Sequence, residues 1–280
     1  MKILVIGGNR FIGLHLVNAL LAKKFHVTVV NRGSRKGMYH GAAEELACDR
    51  DDTKAFSRLF AESHFDAVFD NCAYQPQQVE ASLNLFKGKV KQYILISSVA
   101  VYDQKAKLPY GEGSSRGGHN LFSEYARGKS GCEDVLFEAE NFPYTIIRPT
   151  YVYGPDDYSG RMDKLFKAVK SGSVIRIPKS NPRSQFVHVD DLATALMACI
   201  GNRKAIGQAF NICGDEIISY GELVELIGEL TGKQPKVSFS ILHDFPFMDW
   251  NMYCDASKSK SILGVKYRPL AQGLKETMET

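Results

Sequence analysis

The sequence predicts an α/β fold, a doubly wound parallel sheet with helices on both faces, followed by a small α/β lobe. Three observations carry this. Over the first two-thirds of the chain, short β-branched runs alternate with amphipathic helical runs. The strand-like runs are almost continuously apolar, as strands buried on both faces must be. The first of them runs directly into a glycine turn, "IGGNRFIG" (6–13), and then into a helical pattern.

Taken in order, KILVI (2–6) is a strand, residues 11–23 a helix, and HVTVV (26–30) the second strand. EELAC (44–48) leads to a helix over 52–62, DAVFD (66–70) to one over 76–87, and QYILIS (92–97) to a long Gly- and Ser-rich loop. A helix over 123–140 and the strand YTIIR (144–148) complete the alternation. The right-handed crossover rule joins such units into one sheet. Past Arg148 the pattern loosens: helices are expected at 161–171, 190–201, 219–231 and 270–279, and strands at 174–177, 208–212 and 236–240. No Pro/Gly/Ser linker separates the halves. The first domain is placed at 1–155 and the lobe mainly at 156–280, with 185–215 expected to return to the first domain.

Apolar residues are 44% of the 280-residue chain and charged residues 24%, the balance of a soluble globular protein. A chain of this length builds a core without disulfides or a structural metal. The formal net charge of +4 helps attract a phosphate-bearing ligand, but the basic residues are scattered, and nucleic acid is not the expected partner. The densest run, Lys87, Lys89 and Lys91, reads as a solvated loop. Cys48, Cys72, Cys132, Cys199, Cys213 and Cys254 form no CxxC pair and no metal-spaced cluster with His, so reduced cysteines, no metal site and a cytoplasmic location are expected. The apolar start is too short for a signal peptide, and no stretch of about 18 apolar residues marks a membrane span.

The glycine turn is the first functional signal. Gly7 and Gly8 allow a tight turn and close backbone approach, and Gly13 lets the helix pack on the sheet. The amides of that helix's first turn, around Asn9, Arg10, Phe11 and Ile12, then face a pyrophosphate. With a second strand about 20 residues on, this is a dinucleotide site. That strand runs into Asn31 and Arg32, where an NAD-selective site usually carries Asp or Glu for the ribose 2′-hydroxyl. Arg10 and Arg32, with Arg35 and Lys36, are expected to frame a 2′-phosphate, so NADP is the preferred cofactor and NAD the alternative. Asp49 is the expected acceptor for the adenine amino group.

"SEYARGKSG" (123–131) supplies the second signal, because Tyr125 and Lys129 share a helix face. A phenol is a poor base at neutral pH, but a neighbouring ammonium and an oxidised nicotinamide both favour the phenolate. Tyr125 could then exchange a proton with a hydroxyl while hydride moves at its carbon, and Lys129 could donate to the nicotinamide ribose. "ILISSVAVY" (94–102) ends a buried strand with Ser97 and Ser98, where a hydroxyl can bond the reacting oxygen.

These motifs occur with "RPTYVYGP" (148–155), "QFVHVDDLA" (185–193), "FNICG" (210–214) and "DASKSKSILG" (255–264). As a set they resemble the extended short-chain dehydrogenase/reductase family, the NAD(P)-dependent epimerase/dehydratase group, over essentially the whole chain. The resemblance implies a Rossmann-type NAD(P) domain, a substrate lobe, and Ser98, Tyr125 and Lys129 as the catalytic set. It implies a cofactor also flanked by Arg50, Ala73, Tyr74, Pro149 and Val152, and a substrate, commonly a nucleotide-linked sugar, facing Tyr151, Arg161 and Arg183. The helices at 76–87 and 123–140 would form a homodimer interface, as in similar proteins.

Departures from the family pattern narrow the reaction. Tyr151 stands where an Asn is frequent, and the Arg that often directly precedes the FVHV-like run is displaced to Arg183. Sugar 4,6-dehydratases resembling this family follow the catalytic Thr with Asp-Glu, but Val99 and Ala100 follow Ser98 here and transfer no proton. This leaves 4-epimerisation or reduction of a keto-sugar. The "GGNRFIG" and "NRG" segments also resemble a divergent subgroup that includes chloroplast stem-loop RNA-binding proteins, which keeps a non-catalytic or RNA-binding role as the alternative. His15 reads as a surface or capping residue, His188 as a structural histidine before an N-cap at Asp190, and Asp156–Asp157 as a turn. Tyr151, Tyr153 and Tyr158 read equally as core or as substrate contacts.

Overall fold

A computed structural model describes residues 1–117 and 123–279. The alternation of periods becomes β1 (Lys2–Ile6), α1 (Phe11–Ala22), β2 (His26–Asn31), β3 (Glu44–Ala47), α2 (Thr53–Leu59), β4 (Ala67–Asp70), α3 (Pro76–Phe86), β5 (Tyr93–Ile96), α4 (Ser123–Phe137) and β6 (Tyr144–Pro149). The last five residues of the Gly/Ser-rich loop, 118–122, lie outside the described residues. There follow β7 (Tyr151–Tyr153), α5 (Arg161–Ser171), β8 (Val174–Pro178), β9 (Arg183–Ser184), β10 (Phe186–His188), α6 (Val189–Cys199), β11 (Gln208–Ile212), β12 (Ile218–Ser219), α7 (Tyr220–Thr231), β13 (Lys236–Ser240) and α8 (Leu270–Met278).

Among the described residues, seven strands form one parallel sheet in the order β11-β6-β5-β4-β1-β2-β3. The chain builds outward from β1 in one direction and from β4 in the other, so the crevice at the carboxyl ends of β1 and β4 is the topological switch point. Both faces are packed. Val5, Val29, Ile94, Leu192 and Phe210 belong to the core on one side, and Leu4, Phe69's neighbour Val68, Tyr93 and Ile146 to the core on the other.

The later segments enclose a separate aromatic core in which Tyr151, Phe186, Tyr220, Phe245 and Phe247 meet, with the Tyr220–Phe245 and Tyr151–Phe247 ring centroids 4.6 and 4.7 Å apart. The short strands β7, β9, β10 and β12 are not predicted by periodicity, because two or three residues are too few to show an alternation. α7 begins with a capping box between Ser219 and Glu222. α6 corrects one expectation: its N-cap is His188, whose Nδ1 accepts from the Asp190 N–H, and Asp190 already lies inside the helix.

His15 proves to be a tie between layers. One ring nitrogen lies 2.5 Å from Asp190 Oδ1, and the other lies 3.2 Å from the Pro155 carbonyl and 3.5 Å from Asp156. Acceptors at both nitrogens are satisfied together only by the imidazolium. Burial alone would lower its pKa, but the Asp190 hydrogen bond and charge, with Asp156 and Pro155, raise it above the usual histidine value. A raised folded-state pKa contributes stability that is complete below about pH 6.5 and fades as pH rises through the folded value. His15→Gln should therefore lower the urea midpoint more at pH 5.5 than at pH 8.5, and an equal loss at both would contradict this account.

Candidate active site

The carboxyl ends of β1, β2, β4, β5 and β6 open into a cavity of about 800 Å³. The glycine turn forms its floor. Gly7 adopts φ +85°, and a Cβ on Gly13 would fall 2.1 Å from the Gly7 carbonyl oxygen, so the helix comes this close only without side chains. Gly8 packs its α-carbon against Val29 and Val17, shaping the turn from below. Asn71 holds it from the side, donating to the Gly7 carbonyl at 2.9 Å. Phe11, at φ +37°, starts α1 and turns its ring edge toward Tyr158.

Cations gather at one end. Arg10, Arg32 and Arg35 line the cavity, and the Arg10 guanidinium lies 5.4 Å from the centroid of Tyr158. Lys36 is exposed and is not part of the lining. The Arg35 backbone is tied down by Asn9 Nδ2, which donates to its carbonyl at 2.6 Å. Asn31 and Asp49 also line this end, with Asp49 Oδ1 accepting from the Asp51 N–H.

Several expected site residues stand elsewhere. Arg50 borders the cavity, but its guanidinium is committed to the fully buried Asp70 by bonds of 2.5 and 2.9 Å, and to the Gln78 carbonyl. Burial alone would raise the Asp70 pKa, but the charge and hydrogen bonds of Arg50 and the Tyr93 hydroxyl hold it below the usual carboxylate value. Arg50 thus stands in the cavity wall with both terminal nitrogens of its guanidinium taken up by neighbours within the fold. Ala73 is wholly buried in the core and is not part of the cavity lining. Arg183 is turned away from the cavity because the inward position of its strand is taken by the buried Ser184; it donates to the Ile217 carbonyl at 2.7 Å and faces Glu222.

At the other end Ser98, Tyr125 and Lys129 line the same cavity, along with Tyr74, Pro149 and Val152. Lys129 is 2% exposed, and its ammonium donates to the Ile96 carbonyl at 2.7 Å and lies 6.0 Å from the Tyr125 ring centroid. Tyr125 is 45% exposed, so its ring reaches into open cavity. Ser98 caps a short turn at Val99–Val101, its Oγ accepting from the Ala100 N–H at 3.1 Å, which keeps its hydroxyl proton for another acceptor. Ser97 is used differently, donating to buried Glu133 Oε1 at 2.6 Å. Glu133 also pairs with Arg148 at 2.6 Å and Arg116 at 3.0 Å, a network that fixes the end of β5 and β6 against α4.

The lobe closes the cavity. Tyr151 is a buried wall: its hydroxyl accepts from the Met248 N–H at 3.0 Å, its ring stacks on Phe186, and the Arg161 guanidinium lies 5.9 Å from its centroid. Tyr153 points away into the lobe core, whereas Tyr158 stands exposed at the cavity mouth. Asp157 accepts from the Ser159 N–H, as a turn residue does. Tyr102, Tyr110, Met248, Trp250 and Met252 also line the cavity and escape sequence reasoning. Tyr102 and Tyr110 come from the loop after β5, and Met248, Trp250 and Met252 alternate along one stretch after β13, a spacing that, with the single tryptophan of the chain, was the available cue. Among the described residues, no group of three or more His, Cys, Asp or Glu side chains could hold a metal ion, and no helix is long and apolar enough to cross a membrane.

Fold and cavity together define a Rossmann-type dinucleotide-binding protein with Ser, Tyr and Lys gathered at one end of the site. Residues 3–213 match the model of the NAD dependent epimerase/dehydratase family, and the chain belongs to that family. A curated relative, the chloroplast stem-loop binding protein of 41 kDa b of Arabidopsis thaliana, is 30% identical over 99% of this chain and 78% of its own. The UDP-glucose 4-epimerase of Caenorhabditis elegans is 23% identical over 94% of this chain and 92% of its own. Among solved structures, the UDP-glucose 4-epimerase of Thermotoga maritima with UDP-glucose superposes with a TM-score of 0.83 at 24% identity, covering 100% of this chain and 98% of that one.

Proposed function

We propose that the protein is an NAD(P)-dependent enzyme that moves hydride at a carbinol or ketone carbon of a nucleotide-linked sugar, as a 4-epimerase or keto-sugar reductase. The observation that carries this is the convergence of Ser98, Tyr125 and Lys129 in the cavity floored by the glycine turn. The cradle suits a dinucleotide: Gly7 and Gly13 leave room that a Cβ would fill, and the start of α1, from Asn9 to Ile12, lines it. The nicotinamide, when bound, accepts or returns the hydride. Tyr125 exchanges the proton of the reacting oxygen, Ser98 donates to that oxygen, and Lys129 holds the ribose and steadies the Tyr125 oxygen. Arg161 and Tyr151 flank the sugar side, where Val99 and Ala100 offer no second acid/base for loss of water. A cytoplasmic homodimer formed through α3 and α4 completes the proposal.

We further infer NADP over NAD, because Arg32 occupies the end of β2 where a carboxylate would repel a 2′-phosphate. Titration of nucleotide-stripped protein should show tighter binding of NADPH than of NADH. Arg32→Ala should remove roughly 10-fold or more of that preference, the scale of a charge-assisted bond. Equal binding would refute the NADP assignment and favour an enzyme cycling retained NAD. Binding of neither, with RNA affinity that falls steeply with salt, would transfer the reading to the stem-loop-binding relative.

A further inference from the structure

Tyr74 lies four residues beyond the end of β4, and its backbone is held on both sides. Its N–H donates to Gln78 Oε1 at 2.7 Å, in the first turn of α3. Its carbonyl oxygen rests on α4 at Gly128, where a Cβ would lie only 2.0 Å away. Two turns of α4 make this approach, since a Cβ on Gly131 would likewise meet Pro76 at 2.7 Å. The two glycines of "SEYARGKSG" therefore dock the helix carrying Tyr125 and Lys129 directly onto residues 74–76.

This docking places the Tyr74 ring 4.6 Å from the Lys129 ammonium and 6.2 Å from the Tyr125 ring, inclined at 47°. An aromatic face attracts a cation, and more strongly where water is excluded. Asp70, Cys72 and Cys132 also act on the Lys129 ammonium, but Asp70 is already neutralised by Arg50. Tyr158 approaches Tyr74 from the loop after β7.

We infer that Tyr74 is a positioning residue: its ring holds the Lys129 ammonium beside Tyr125. This rests on the proposed acid/base role of Tyr125. With Leu at 74 the ammonium loses the aromatic face that fixes it beside Tyr125, and a less fixed ammonium acts on Tyr125 more weakly. In the oxidative direction the rate then needs a higher pH. Phe supplies the same face.

The test compares Tyr74→Phe, Tyr74→Leu and Tyr125→Phe, using NAD(P)⁺ with UDP-glucose as the probe. Tyr74→Phe should retain kcat within about twofold and an unchanged pH profile. Tyr74→Leu should lower kcat more than it raises the cofactor KM, and move the acid limb of kcat/KM up by about half to one pH unit. A Tyr74→Leu profile superimposable on the parent, with Tyr125→Phe inactive, overturns the inference. Retained turnover in Tyr125→Phe overturns the acid/base reading on which it rests. A second measurement needs no turnover: in protein carrying isotope-labelled lysine, the side-chain protons of Lys129 should show a ring-current displacement that Tyr74→Phe keeps and Tyr74→Leu abolishes. Identical Lys129 signals in all three proteins would overturn the inference on their own.

Discussion

Tyr125→Phe will lower turnover by about a hundredfold or more and leave dinucleotide affinity nearly unchanged. The substitution removes one oxygen from a side chain that is half open to the cavity, so no buried partner is orphaned and no core is disturbed. The loss therefore falls on proton transfer and not on binding, and kcat and kcat/KM should fall together. Rapid-reaction measurement of nicotinamide reduction, beside equilibrium titration of the cofactor, separates the two. Undiminished turnover would exclude Tyr125 as the acid/base.

Arg50→Met will destabilise the fold by about 3–5 kcal/mol, as measured by urea unfolding. Asp70 is 0% exposed, and the substitution leaves it with the Tyr93 hydroxyl at 2.5 Å and the Cys72 N–H at 3.2 Å but without its guanidinium. An uncompensated charge in such a place is costlier than the lost pair is favourable. The sign of the pH dependence follows from the lowered Asp70 pKa. Its contribution is complete above the ordinary carboxylate value near 4 and is lost as pH falls through the lower folded value. The parent should therefore lose stability on acidification below about pH 4, and Arg50→Met should lose less over the same range. A variant of unchanged stability but weakened cofactor binding would return Arg50 to the ligand-facing role expected from sequence.

The contrast between Arg50 and Arg32 shows what sequence reasoning can and cannot see. Both follow a strand of the same sheet and both are arginines near an expected dinucleotide. Only the position of Asp70, at the end of β4 and separated from β3 by β1 and β2, decides that one is consumed and the other exposed. Strand and helix periods, the glycine turn and the Tyr125/Lys129 spacing are local, and they were legible. So was the sheet, because alternating buried strands and helices admit few topologies. Pairwise outcomes at long sequence separation were not legible: Ser97 taken by Glu133, Arg183 turned outward beside Glu222, His15 reaching Asp190. The wall of Met248, Trp250 and Met252 belongs to the same class, since it depends on Tyr151 and Tyr220 gripping the Met248 backbone.

The position of β11 has a consequence for synthesis. β6 is completed at Pro149, but the strand that covers its outer edge is not made until Gln208–Ile212. In between the ribosome produces β7 to α6 and the turn after it, roughly sixty residues, which at 5–20 residues per second takes about 3–12 seconds. For that interval the apolar segment YTIIRP presents unpaired backbone, the surface on which nascent chains aggregate. Chains that stall or are cut between β6 and β11 should thus be the insoluble ones, and chaperone occupancy on translating ribosomes should peak there and fall once β11 has emerged.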